Sequence, residues 1–247
     1  TDVIQAVILL IGSSIITWLA LEQAGPWSEI VANTPPEMLS VIQPATDATM
    51  PWTGMLVGVP ILGFYFWCTN QFIVQRVLGA KNIDHARWGA LFGGLLKLPV
   101  LFIMVYPGIM ARGLFPDLET PDLVFPTLVS ELLPVGVKGL VLAGLIAAIM
   151  SSIDSTLHSA STLVTFDFIK KFKPNLSSAQ LTRIGRRVTV GFMIVSILWV
   201  PVVASFDTLF QYLKSALAYL VPPVVAFFIL GLFLKRATSR CAFLGLL

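Results

Sequence analysis

Apolar residues fall into six long runs separated by polar stretches, at about 2–22, 52–76, 88–112, 138–168, 185–205 and 208–234. A helix needs roughly 20 apolar residues to cross the hydrocarbon core of a bilayer. Each run therefore predicts a membrane span, here called spans one to six. The stretch 23–51 contains Pro26, Pro35, Pro36, Pro44 and Pro51, too many prolines for one continuous helix. The stretch 113–137 holds four more, with a short helix expected over "TLVSELL". The pattern predicts an all-α integral membrane protein, with residues 1–247 forming a single transmembrane domain.

Composition agrees with the pattern. Hydrophobic residues make up 56% of the chain and charged residues 12%, against about 25% charged in soluble domains. Mean hydropathy is +0.87. The pI near 9.0 does not indicate nucleic acid, because the basic residues are not gathered into a patch with stacking aromatics. Cys68 falls in an apolar span and Cys241 in a basic terminal segment, so no structural disulfide is expected. Thr1 leads straight into an apolar helix, and the closing "AFLGLL" resembles the start of another span. Both ends are those expected of a piece of a longer chain.

Loop charges give the orientation. Arg76, Lys81 and Arg87 lie between spans two and three; Lys170, Lys171, Lys173, Arg183, Arg186 and Arg187 lie around the join of spans four and five; Lys235, Arg236 and Arg240 follow span six. Only Arg112 and Lys138 lie on the opposite side, which carries Glu22, Glu29, Glu37, Asp117, Glu119 and Asp207 among its acids. Basic loops stay in the cytoplasm, so span one runs outward and all six spans alternate consistently.

Asp2, Lys97, Asp154 and Lys214 are charged residues placed at membrane depth. A charge at the bilayer centre costs at least about 2.5–3.5 kcal/mol, so such residues face a partner, water or an ion path. A pair between Asp154 and a lysine would be the purely structural account, but a buried pair often fails to recover its own desolvation. Span four also carries Ala148, Ser151, Ser152, Ser155, Ser159 and Thr162 at three- and four-residue steps, on one helix face. Such a stripe can serve helix packing alone. With Asp154 beside it and Asp2 on another span, it also supplies the oxygen ligands that a hard cation prefers.

"FYFWCTNQFIVQRVLGAKN" (64–82), Lys97 in "LLKLPV" and "AAIMSSIDSTLHSASTLVTFDF" together resemble the sodium/solute symporter family, nearest to its sodium/glucose cotransporter branch. The opening "TDVIQ" and the closing "SALAYLVPP…LFLKR" fit the same family, so the resemblance runs the length of the chain. It implies a LeuT-like core, an inverted repeat of two five-helix units. Residues 1–22 would be the last helix of the first repeat and spans two to six the whole second repeat, with the earlier N-terminal helices of the same chain as partners. It further implies a multi-pass cell-membrane carrier working by alternating access around a midplane site, with no enzymatic activity and no cofactor beyond sodium as coupling ion.

The resemblance also assigns residues. One sodium would be held by Ala148, Ser151 and Ser152, completed by a helix outside this chain. A second would lie among Asp2, Ser151, Asp154 and Ser155. Family members usually carry a small hydroxyl residue where this chain has Asp154. The aspartate could strengthen the cation site, titrate as a proton site or pair with Lys214. Phe66, Trp67 and Lys97 match solute-binding positions of the sugar branch, with Phe66 replacing the usual tyrosine. Lys214 stands where that branch has a glutamine, so the cavity becomes cationic and suits an acidic solute such as a sugar acid. Gly63, Asn70 and Gln71 lie beside the aromatic motif and suit packing equally well.

The expected function is sodium-coupled import of a small polar organic solute, a sugar or acidic sugar. The alternatives are a proton-coupled or uncoupled carrier of an amino acid, vitamin or nucleoside, and the transporter-like domain of a membrane sensor. Asp154 and His158, four residues apart, do not make a hydrolase, because the serines share one regular helix with the histidine and no oxyanion hole is in view. His158 suits packing or hydrogen bonding, and His85 a solvated loop. Trp52, Trp88 and Trp199 lie near span ends, as interfacial anchors do. Pro222 and Pro223 must interrupt hydrogen bonding in span six, as a kink or a hinge.

Overall fold

A computed structural model describes residues 2–47, 50–235, 238 and 243. Arg236, Arg240 and Cys241 lie outside the described residues. Among the described residues the elements are helices throughout, apart from one isolated bridge between Gln43 and Pro51. In chain order they are α1 (Asp2–Ala24), α2 (Trp27–Ala32), α3 (Pro36–Leu39), α4 (Trp52–Phe64) and α5 (Gln71–Leu78), then α6 (Ile83–Leu95), α7 (Leu98–Val100), α8 (Tyr106–Leu114) and α9 (Val124–Leu132). The chain continues through α10 (Val135–Leu163), α11 (Lys170–Phe172), α12 (Ser178–Val203) and α13 (Leu209–Phe233). Three π-helical turns are interposed, at Tyr65–Thr69, Leu101–Val105 and Val164–Ile169.

Among the described residues, six helical stretches are long and apolar enough to span a membrane: Asp2–Ala24, Trp52–Thr69, Ile83–Leu114, Val135–Phe172, Ser178–Val203 and Leu209–Phe233. They correspond one for one to the six apolar runs. Span five starts earlier than the hydropathy pattern suggests, because Ser177 and Gln180 form a reciprocal capping box that satisfies backbone donors ahead of the apolar run. The helix expected over "TLVSELL" is α9. The pair Pro222–Pro223 lies within α13, which is helical from Leu209 to Phe233.

Contacts divide the chain into two bodies. The first takes the chain up to Pro35 and then Arg87–Ser205; the second takes Pro36–Ala86 and the chain from Phe206 onward. The core of the first body gathers Ile16 and Ala20 of α1, Met110 and Ala111 of α8, Leu128, Val129 and Leu132 of α9 and Val141 of α10. Here α9, the short helix expected within 113–137, folds in and buries one face through Leu128, Val129 and Leu132. Trp27 stacks on Tyr106 with ring centroids 4.8 Å apart, which ties α2 to α8. In the second body, α13 packs against α4 and against the π turn that follows it.

Candidate functional site

Helices α1 and α10 cross antiparallel, and two glycines set how closely. A Cβ on Gly12 would collide with the Val141 side chain, and one on Gly144 would meet Ile8 Cγ2 at 3.0 Å. Small residues at such crossings let helix backbones approach. Followed one step further, this register places Asp2 of α1 beside Ser151 of α10. Ser151 Oγ donates a hydrogen bond to Asp2 Oδ1 at 3.2 Å. The carboxylate and hydroxyl stripe singled out in the sequence therefore meet across one helix pair.

One turn along, Ser155 Oγ donates to the Ser151 carbonyl at 2.9 Å. A hydroxyl that gives its proton to its own helix still has an oxygen of the kind that can accept. Thr156 and Thr162 bond in the same way to the Ser152 and His158 carbonyls. Ala148, Ser151 and Ser155 are half-buried, whereas Ser152 and Asp154 are exposed. At about 100° per residue, Ser152 and Asp154 lie on opposite flanks of the Ser151 direction. Asp2 and Ser151 are thus in contact, with Ser155 one turn further along α10; Ser152 and Asp154 lie to either side. Lys214 falls in the other body from Asp154.

The remaining charged and aromatic candidates sit at helix interruptions. Span two, expected to be one helix over 52–76, breaks at Asn70, whose backbone is extended at φ −71 and ψ 112. Phe66 and Trp67 lie in the π turn just before the break, in edge-to-face contact at 6.0 Å, and Phe66 also meets Phe72 at 6.4 Å. Asn70 Oδ1 accepts from the Phe72 amide at 3.3 Å, capping α5, while the Asn70 amide donates to the Tyr65 carbonyl at 2.9 Å. A helix end frees its last carbonyls from intrahelical donors, so the break leaves polar backbone beside the aromatic pair. Discontinuous spans of this kind line binding sites in transporters. Replacing Asn70 by alanine removes the cap and is expected to cost about 1 kcal/mol, read as a lowered melting temperature of the purified protein.

Span three is interrupted in the same manner. Leu96 and Lys97 form a turn between α6 and α7, with the Lys97 amide donating to the Gly94 carbonyl at 3.1 Å. Pro99, which has no amide proton, follows within the first turn of α7. Lys97 is exposed at that turn, and Lys214 is exposed on α13. The helix breaks themselves were not anticipated from hydropathy. Their available signals were Asn70 as an N-cap residue and the Gly93–Gly94 pair ahead of Pro99. Cys68 is free and exposed, in the π turn of span two.

The family model described as the sodium:solute symporter family matches residues 1–247. The sodium/myo-inositol cotransporter 2 of Rattus norvegicus is 38% identical, with all of this chain and 42% of the relative covered. The sodium/glucose cotransporter 4 of Mus musculus is 34% identical, with 100% and 41% covered. A sodium/mannose cotransporter of Bos taurus is also 34% identical, with 100% and 47% covered. The chain thus spans less than half the length of these curated relatives. With its six membrane-spanning helices, this multi-pass membrane chain belongs to the sodium:solute symporter family, whose members are carriers and not enzymes.

Proposed function

We propose that this chain supplies a sodium site and part of the solute cavity of a symporter that imports a small polar organic solute. The observation carrying the proposal is the Ser151–Asp2 contact between α1 and α10. A sodium ion held by Asp2, Ser151 and Ser155 would bridge the two helices and favour the arrangement in which they are apposed. Ala148 and the exposed Ser152 suit a second ion whose other ligands come from helices outside this chain. Asp154, on the flank of the stripe, would draw cations toward both positions. These helices would belong to a LeuT-like inverted-repeat core, with α1 closing the first repeat.

Coupling then follows from linkage. An ion that favours one conformation strengthens solute binding to that conformation, and solute strengthens ion binding equally. Each positive charge moving down a 100 mV potential contributes about 2.3 kcal/mol, or about 50-fold of accumulation.

For the solute, the relatives' names point to hexoses and a cyclic polyol. Phe66 and Trp67 at the π turn offer flat apolar faces of the sort that stack on sugar rings. Lys97 and Lys214 add positive charge and lead us to a sugar acid or a similar polyhydroxy carboxylate. Uptake by the full-length protein in the presence of sodium tests this reading. Uronates are expected to compete with the substrate at least about tenfold better than neutral hexoses, the equivalent of one charge-assisted hydrogen bond. Better competition by neutral hexoses would reject the acidic solute. Uptake that ignores sodium but collapses with the pH gradient would instead assign Asp154 to proton coupling.

A further inference from the structure

Away from the sodium and solute residues, the first body contains a cleft of about 520 Å³ between the end of span four and the start of span five. Its walls carry His158, Ser161, Thr165 and Lys170 on one side and Gly185 and Arg186 on the other. Ser161 Oγ donates to the Gly185 carbonyl at 2.8 Å, and Thr189 Oγ1 donates to the same carbonyl at 3.0 Å. That carbonyl is thereby doubly used. Thr165 is 3% exposed, and its Oγ1 has no hydrogen-bond partner among the described residues.

A buried hydroxyl without a partner loses solvation and recovers nothing. Here it lies in the π turn Val164–Ile169 and on the wall of a cleft that also bears Lys170 and Arg186. Lys170 Nζ lies 5.4 Å from the Phe166 ring centroid, and both residues line the cleft. Asp167 shares the π turn but does not line the cleft. The set is one of donors: a hydroxyl, a guanidinium and an ammonium, which match the oxygens of a phosphoryl group. By loop charge this end of the bundle is cytoplasmic, where anionic lipids concentrate and basic juxtamembrane pockets receive their headgroups.

We propose that this cleft binds a phosphoryl group, with Thr165 Oγ1, Lys170 and Arg186 as its donors. The group comes either from an anionic lipid headgroup of the cytoplasmic leaflet or from free phosphate. Occupation would link the end of span four to span five and so bias the helix that carries the sodium residues.

The test uses the full-length protein in phosphatidylcholine nanodiscs, plain or doped with a phosphatidylinositol phosphate, with lipid retention read by native mass spectrometry. The doped lipid is expected to be retained and to raise the melting temperature. Arg186→Gln is expected to weaken retention about tenfold. Thr165→Val keeps the side-chain shape and removes the unpaired hydroxyl. It is expected to weaken retention several-fold without lowering the melting temperature in plain nanodiscs. A stabilising effect of inorganic phosphate in plain nanodiscs, lost in the same variants, assigns the site to the free ion. If Arg186→Gln does not fold, Arg186→Lys and Thr165→Val carry the measurement. Equal retention by wild type and Thr165→Val, or no response to either probe because another segment of the protein fills the cleft, overturns the proposal.

Discussion

Replacing Asp2 by asparagine in the full-length carrier is expected to raise the sodium concentration for half-maximal uptake by about 10- to 100-fold. The substitution is nearly isosteric, and an amide oxygen can still accept the hydrogen bond from Ser151. What disappears is the negative charge that α1 contributes at the α1–α10 crossing. At an effective dielectric of about 20, a charge and a cation separated by 4 Å attract by about 4 kcal/mol, and desolvation offsets part of it. Thermal stability in the absence of sodium is expected to change little, which separates a lost ligand from a misfolded protein. Ser151→Ala is expected to act in the same direction but more weakly, because it removes one neutral oxygen. Sodium activation curves that superimpose on wild type for Asp2→Asn would exclude this helix pair as an ion site.

The second large effect is expected from Gly12→Val. Its side chain would be driven into Val141, and a β-branched residue in a helix has one strongly preferred rotamer, so Val141 cannot swing aside. Separation of α1 from α10 is the remaining response. Overpacking of this kind costs about 1–3 kcal/mol, seen as a lower melting temperature in detergent. The same separation would pull Asp2 from Ser151, so weaker sodium activation is expected to accompany the loss of stability. Adding Val141→Ala restores space at the contact, and the double variant is expected to recover part of both losses, as directly coupled positions do. A Gly12→Val protein with unchanged melting and unchanged sodium activation would show that close approach of these helices is immaterial.

The contrast between what hydropathy revealed and what it concealed has a physical basis. Span positions were legible because the bilayer demands a long apolar run, and α1, α10, α12 and α13 answer it directly. The hydroxyl face of span four was legible from helical periodicity. Its partner was not legible from periodicity, and the family resemblance was what grouped Asp2 with Ser151 and Ser155. Periodicity says which residues share a face, but not which helix that face meets. That information resides in the close approaches at Gly12 and Gly144, which become meaningful only once the antiparallel register is seen. The interruptions at Asn70 and Lys97 were hidden for another reason. Apolar composition continues through "FYFWCT" and "LFIMV", so a hydropathy window is blind to a change in winding. Ser152 looked equivalent to Ser155 by residue chemistry, yet it is exposed where Ser155 is half-buried, and Asp154 is exposed as well.

Two of the three π turns carry one more consequence. A π turn is an α-helix that has absorbed an extra residue without shifting the faces on either side of it. Removing one residue inside Leu101–Val105 or Val164–Ile169 would let each segment wind as ordinary α-helix while both flanks stay in phase, whereas Tyr65–Thr69 ends at the break at Asn70. The same deletion within α10 would rotate all that follows by about 100°. Carriers of this kind that differ in length by a single residue within a span are therefore expected to place the gap at one of these turns, and a residue-by-residue comparison that places it elsewhere would mismatch every later position.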